Sequence, residues 1–226
     1  MYCVQCKEQV MKRKVGVTGH TSGIGKEIFD YLAVDTMTGD VRGYSRSTGF
    51  NMAFKQGDDI INDILRNDLD VVFNNAWHPR VQNKIQKILH EQWKDREDKY
   101  IISTGSASIY QEGLTKGVYH QDKVELAEYA KNAASGWPIV NKCRCMTVSL
   151  GWTNTPMVGE HEGFITAYEA ALILLNLMHK QNYIIPEIIV GNKQLPLKEI
   201  IEIRDAAAEY VVEDITKTNQ LLNADR

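Results

Sequence analysis

The sequence predicts an α/β protein: one domain built on a doubly wound parallel sheet with helices on both faces. Two observations carry this prediction. Short β-branched or apolar runs alternate with longer segments of helical spacing along the chain, the rhythm of βα units feeding a buried parallel sheet. With 226 residues, 43% of them hydrophobic and 24% charged, the chain is long enough to bury one such core and has the composition of a globular protein.

The elements follow in order. Residues 15–18 are expected to form the first strand and 23–32 the first helix. A second strand covers 41–45, a helix 58–67 and a third strand 70–74. Residues 84–93 read as helix, 100–104 as strand, 118–134 as helix and 144–150 as strand. A helix over 164–179, a late strand over 185–190 and a final helix after Pro196 complete the pattern. No internal repeat, low-complexity segment or Gly/Ser/Pro-rich linker divides it. The leader MYCVQCKEQV precedes a second methionine, Met11, and the basic KRK, so residues 1–12 are expected as an N-terminal extension to a domain spanning 13–226.

A formal net charge of -3 offers no global attraction to nucleic acid or an anionic membrane, and neither is an expected partner. The longest apolar stretches, such as ALILLNLM at 171–178, are too short to span a bilayer, and no signal-peptide pattern precedes the first strand. The expected location is cytoplasmic. The cysteines occur as Cys3-x-x-Cys6 and Cys143-x-Cys145, a count and spacing that a zinc site would also show. Cys143 and Cys145, however, fall in an expected strand, where side chains two apart share a face and a small thiol is an ordinary core residue. No metal site is expected, and the role of Cys3 and Cys6 is open.

The stretch TGHTSGIG, residues 18–25, lies where the first strand hands over to the first helix. In an open parallel sheet a dinucleotide pyrophosphate rests there, against the free N–H groups of the helix N-terminus. Gly19 allows the turn, Gly23 lets phosphate approach the backbone, and Gly25 lets helix pack on strand. Thr21, Ser22 and Ile24 complete this Rossmann-type loop. At the end of the second strand, in GYSRS, Ser45 stands where a carboxylate would bind the ribose of NAD, and Arg46 follows. A hydroxyl and a guanidinium bind a 2'-phosphate that a carboxylate would repel, so NADP(H) is expected in preference to NAD(H).

In VYHQDKVELAEYA, Tyr119 and Lys123 are four residues apart and share one helix face. A phenol loses its proton near pH 10, and a neighbouring ammonium favours the phenolate, so the pair can exchange a proton with an alcohol or carbonyl nearer neutrality. Upstream, YIISTGSAS ends a strand with hydroxyls able to hold a carbonyl oxygen.

Taken together, TGHTSGIG, Asn74-Asn75-Ala76, the serine cluster around Ser106, Tyr119-x-x-x-Lys123 and LGWTNTPM at 150–157 resemble the short-chain dehydrogenase/reductase superfamily, in that family's order. The resemblance implies an NADP(H)-dependent oxidoreductase acting on a small carbonyl compound or alcohol. Tyr119 is then the acid/base, and Lys123 tunes it and contacts the nicotinamide ribose. Ser106, thirteen residues before Tyr119, polarises the carbonyl, with Ser103 and Ser108 as fallbacks. The cofactor would also meet Asn75, Ala76, Gly151, Thr153 and Thr155. Two departures stand out: Trp77 replaces the glycine of the Asn-Asn-Ala-Gly stretch, and Leu150 replaces a proline. The family's catalytic asparagine has no clear match, Gln82 and Asn83 being nearest. His20 and His120 are given no catalytic role.

The rival readings are a cofactor-binding regulator or scaffold without turnover, and a sugar-nucleotide epimerase or dehydratase. Intact Ser106, Tyr119 and Lys123 count against the first, and the glycine spacing and short C-terminal part against the second. The family resemblance, and the apolar character of ALILLNLM, suggest a homodimer or homotetramer. Only residues 158–163 separate the TNTPM segment from the next expected helix, which predicts a small lid over an open cleft.

Overall fold

The computed structural model describes residues 12–111, 117–179 and 183–192. The N-terminal leader with Cys3 and Cys6, and the helix expected after Pro196, lie outside these residues.

In chain order the elements are β1 (Arg13–Thr18), α1 (Gly23–Val34), β2 (Thr38–Tyr44), α2 (Asp58–Arg66), β3 (Val71–Asn74), α3 (Val81–Trp93), β4 (Tyr100–Ser106), α4 (Val118–Ser135), β5 (Arg144–Leu150), α5 (Ala167–Asn176) and β6 (Glu187–Val190). The strands form one sheet in the order β2-β1-β3-β4-β5-β6, with every neighbouring pair parallel. The direction of winding reverses between β1 and β3. Such a switch point opens a crevice beyond the carboxyl ends of the strands.

Alternation along each strand sends side chains to opposite faces. Val15, Val17, Val71, Phe73, Ile102 and Val148 pack with α1 and α5, whereas Val72, Ile101, Cys143 and Cys145 pack with α2 and α3. Both faces are therefore covered, and the strands read as near-continuous apolar runs for that reason. Cys143 and Cys145 are buried free thiols, and burial pushes Cys145 up to about 12. Among the described residues no group of three or more His, Cys, Asp or Glu side chains is placed to hold a metal ion, and no helix is long and apolar enough to cross a membrane.

Three helix boundaries depart from expectation by three residues each: α5 ends at Asn176 rather than at residue 179, and two helix starts are displaced. The segment expected to be helical from residue 164 begins at Ala167 because Thr166 caps it: the Thr166 hydroxyl accepts from the Glu169 N–H, and the Glu169 carboxylate accepts from the Thr166 N–H. Phe164 lies outside the helix, buried, with its ring stacked on Trp152. Helix α3 starts at Val81 rather than at residue 84, after a left-handed Arg80 (φ 63°). The stripe ALILLNLM is directed mainly into the chain's own core: Ala171, Leu174, Leu175, Leu177 and Met178 are buried against the α1 side of the sheet. Its apolar character is explained without a partner subunit.

Candidate active site

The glycine loop follows β1 at the switch point. Gly19 takes a left-handed conformation (φ 71°), and a Cβ there would lie 2.9 Å from the Cβ of Ala76. At Gly25 a Cβ would overlap the carbonyl oxygen of Gly19, so the loop backbone crosses the start of α1 with no room for a side chain. Ser22 precedes the helix in an extended conformation, and its side chain makes no capping hydrogen bond. The first-turn N–H groups of α1 have no intrahelical partner by construction. A bare loop running into an uncapped helix start fits a pyrophosphate. Thr21 is exposed beside Ser22, whereas Ile24 is buried and anchors the helix.

Two distant segments close on this loop. After β3, the Ala76 N–H donates to the Thr18 hydroxyl at 3.0 Å, the Asn75 side chain donates to the Thr18 carbonyl at 3.4 Å, and Asn75 accepts from the Thr104 hydroxyl at 3.1 Å. The ends of β1, β3 and β4 are thereby stitched together. After β5, the Gly151 N–H bonds the Val190 carbonyl (2.7 Å), Thr153 donates to the Gly151 carbonyl (3.0 Å), and Thr155 and Pro156 come up against Gly23. Residues 155–161 then fold back in a tight loop, in which the His161 N–H bonds the Asn154 side chain at 2.9 Å. The glycine loop thus meets the Asn75–Ala76 segment at Gly19 and the Thr155–Pro156 segment at Gly23, and the Ser45–Arg46 pair lies to the β2 side. There Ser45 shares a 2.8 Å hydrogen bond with Ser47, and Arg46 opens an exposed 3-10 turn, Arg46–Thr48.

The Ser, Tyr and Lys side chains also converge. Ser106 ends β4 and shares a 2.7 Å hydrogen bond with Ser108. The phenol of Tyr119, in the first turn of α4, faces Ser106, whose hydroxyl is near enough to favour the phenolate. One turn on, the Lys123 ammonium lies 5.3 Å from the centroid of the Tyr119 ring. Its side chain is buried and donates to Gln82 Oε1 at 2.8 Å and to the Thr104 carbonyl at 2.7 Å. Ser103, by contrast, is fully buried and bonded to Asn74, so it is a sheet residue and no fallback for Ser106.

Electrostatics correct one expectation. Burial raises the Tyr119 phenol above its ordinary pKa, and the Ser106 hydroxyl offsets this only in part. Burial also lowers Lys123 to about 7, with Asp122 pulling it back up. In the protein alone the lysine does not bring the phenol toward neutrality, because desolvation acts on both groups and penalises each charged form.

Adjacent candidates for the missing asparagine separate cleanly. Gln82 bonds Lys123 through its carbonyl oxygen, while its amide donates to the Asn74 carbonyl (2.7 Å) and the Thr104 carbonyl (3.1 Å). Asn83 instead donates to the Asp122 carbonyl and the Glu125 carboxylate. The His20 ring lies on the β2 backbone at Gly43 and packs on Phe29. His120 belongs to the outer face of α4, beside Gln121 and Val124. Sequence reasoning missed Thr104, whose hydroxyl and carbonyl link Asn75 to Lys123, and Asp122, whose only signal was an acidic residue directly before Lys123.

No family model matches the sequence, and no curated protein matches it. Solved structures do match its fold. A short chain dehydrogenase/reductase family protein aligns at TM-score 0.60 with 20% identity, over 79% of this chain and 95% of that one. ElxO with NADP bound aligns at TM-score 0.63 with 16% identity, over 80% and 97%. The 3-ketoacyl-(acyl-carrier-protein) reductase from Brucella melitensis, complexed with NADH, aligns at TM-score 0.60 with 15% identity, over 80% and 96%. The chain has the fold of these short-chain dehydrogenases and reductases.

Proposed function

We propose that this protein is an NADP(H)-dependent oxidoreductase that moves a hydride between the nicotinamide and a carbonyl compound or secondary alcohol. The observation that carries the reading is the meeting of Ser106 and Tyr119, with Lys123 buried on the same helix face and 5.3 Å from the phenol ring centroid. The four-residue interval explains the Tyr/Lys contact, but only a fold that brings the end of β4 to the start of α4 explains the serine. Two of these solved neighbours, ElxO and the Brucella melitensis reductase, hold NADP and NADH, which supports a nicotinamide cofactor.

The nicotinamide, when bound, supplies or accepts the hydride. Ser106 holds the carbonyl oxygen by hydrogen bonding. Tyr119 gives that oxygen its proton in reduction and takes it back in oxidation. Lys123, a three-proton donor with two protons directed at Gln82 and Thr104, keeps the third for a ribose hydroxyl and stabilises negative charge on the phenol. Gln82 acts on Lys123 as a positioning residue. Gly19, Ser22, Gly23 and Gly25 bind the pyrophosphate, with Thr21 and Ile24 flanking it. Asn75, Ala76, Gly151, Thr153 and Thr155 line the nicotinamide side. Ser45 and Arg46 take the 2'-phosphate.

The test is NADPH and NADH oxidation followed by absorbance across a panel of aldehydes and ketones. NADPH should be the better cofactor, and Arg46→Ala should weaken NADPH at least several-fold while leaving NADH nearly unchanged. Equal affinities in the parent protein would remove the NADP assignment. NADPH binding with no turnover on any carbonyl would instead favour the regulator.

Gly25→Ala probes the cradle. The added methyl meets the Gly19 carbonyl, so urea unfolding should show a loss of about 1–3 kcal/mol, and titration should show NADPH affinity at least tenfold weaker. An unchanged affinity would place the cofactor elsewhere.

We also propose that the chain is a homodimer or homotetramer, which the outer face of α4 around His120, Val124 and Glu128 is free of the chain's own core to support; light scattering that gave the 25.7 kDa mass of one chain would refute it.

A further inference from the structure

The position at which Trp77 replaces the expected glycine is tied to the reacting phenol through one carboxylate. Asp122, buried on α4 between Tyr119 and Lys123 in sequence, uses a single oxygen, Oδ2, to accept from the Trp77 indole N–H at 3.1 Å and from the Arg80 backbone N–H at 2.8 Å. Arg80 sits at φ 63°, a conformation a non-glycine residue keeps only where its surroundings enforce it. The carboxylate holds the Arg80 N–H in that conformation, beside the backbone bonds of the turn itself. Thus the whole turn from the end of β3 to the start of α3 is pinned to α4. The indole then stands edge-on to the Tyr119 ring, with centroids 5.0 Å apart at an interplanar angle of 74°, a favoured aromatic arrangement.

Tyr119 needs such support. It is the second residue of α4, and Gly117, which precedes the helix, provides no side-chain cap; a first turn without a cap frays. The Ser106 hydroxyl neighbours the phenol, and the ring needs a further contact to fix its orientation. Small misplacements of an acid/base group cost large factors in rate.

We propose that Asp122 and Trp77 are a positioning pair that locks the Tyr119 ring: the carboxylate orients the indole, and the indole edge orients the phenol. The proposal rests on the reading of Tyr119 as the proton donor, but its geometric half can be tested without turnover. In the cofactor-free protein the Trp77–Tyr119 contact contributes a near-UV circular dichroism band, read as the difference between the parent and Trp77→Phe because the chain has four tryptophans. The band should be lost in Trp77→Leu and in Asp122→Ala, and should largely persist in Asp122→Asn, which keeps an acceptor oxygen. In kinetics, Trp77→Leu and Asp122→Ala should lower kcat about tenfold or more while the KM for NADPH stays within threefold. Trp77→Phe, which keeps an aromatic edge, should recover most of the loss.

Trp77→Leu with kcat within twofold of the parent, beside an inactive Tyr119→Phe, would overturn the positioning pair and leave the proton donor standing. An active Tyr119→Phe would overturn the underlying reading instead. Asp122→Ala removes the support of a left-handed residue and can fail to fold. The comparison of Trp77→Leu with Trp77→Phe, both with far-UV spectra like the parent, then decides alone. Equal kcat in those two variants would refute the role of the aromatic edge.

Discussion

Tyr119→Phe will lower turnover by about a hundredfold or more, with NADPH affinity kept within a few-fold. The ring remains in the variant, so its edge contact with Trp77 and the packing of the first turn of α4 survive, and only the exchangeable proton is removed. Because burial raises the phenol above its ordinary pKa, the group is protonated at neutral pH in the free protein. Protonated phenol is the form that reduction requires, and phenolate the form that oxidation requires. Carbonyl reduction should therefore hold its rate through neutrality, whereas alcohol oxidation should rise with pH, and both profiles should vanish in the variant. Retention of most of the activity by Tyr119→Phe would remove Tyr119 from the chemistry.

Lys123→Met should have the second largest effect, at least about a hundredfold in turnover, with a signature in stability that no surface lysine would show. In the folded protein Lys123 is lowered from 10.5 to about 7 by burial. Between those values the unfolded chain holds the proton more tightly, so stability rises with pH across the window. Below about pH 7 the lysine is charged in both states and the folded protein bears the full cost of desolvating it. By about pH 10.5 the cost has faded, and the whole span is at most roughly 5 kcal/mol. Methionine removes the titration. It also leaves Gln82 Oε1 without its donor and removes one of the two donors to the Thr104 carbonyl, which keeps the Gln82 amide, a loss of about 1–3 kcal/mol at every pH. Thermal unfolding of the cofactor-free proteins should show the parent gaining on the variant from pH 6 to pH 10. A pH-independent difference would mean that Lys123 is solvated.

Much of the fold was legible because its signals are local. The strand at Arg144–Leu150 matches its expected bounds, since Cys145, Met146, Val148 and Leu150 make a short apolar-rich run that Gly151 ends. The α1 start follows from glycines that no other local structure needs. Tyr119 and Lys123 share a face because helix geometry alone sets a four-residue interval. Where a cap overrode periodicity, as Thr166 does before α5, the apolar pattern ran past the true end, because Phe164 is buried by stacking on Trp152 rather than by the helix.

By itself, then, the sequence determined the βα order, the glycine loop and the Tyr/Lys interval, all of which are set by interactions spanning a few residues. Only the tertiary structure decided which of Gln82 and Asn83 reaches Lys123. Adjacent residues on a helix point about 100° apart, and the choice depends on how α3 docks against α4. It also decided that the stripe of α5 packs against the chain's own α1 side, and that Asp122 joins Trp77 to the face of α4 that carries Tyr119. The two Asp122 bonds link residues 45 and 42 positions apart, and no local pattern encodes a distance that only the packing of two helices on one sheet sets.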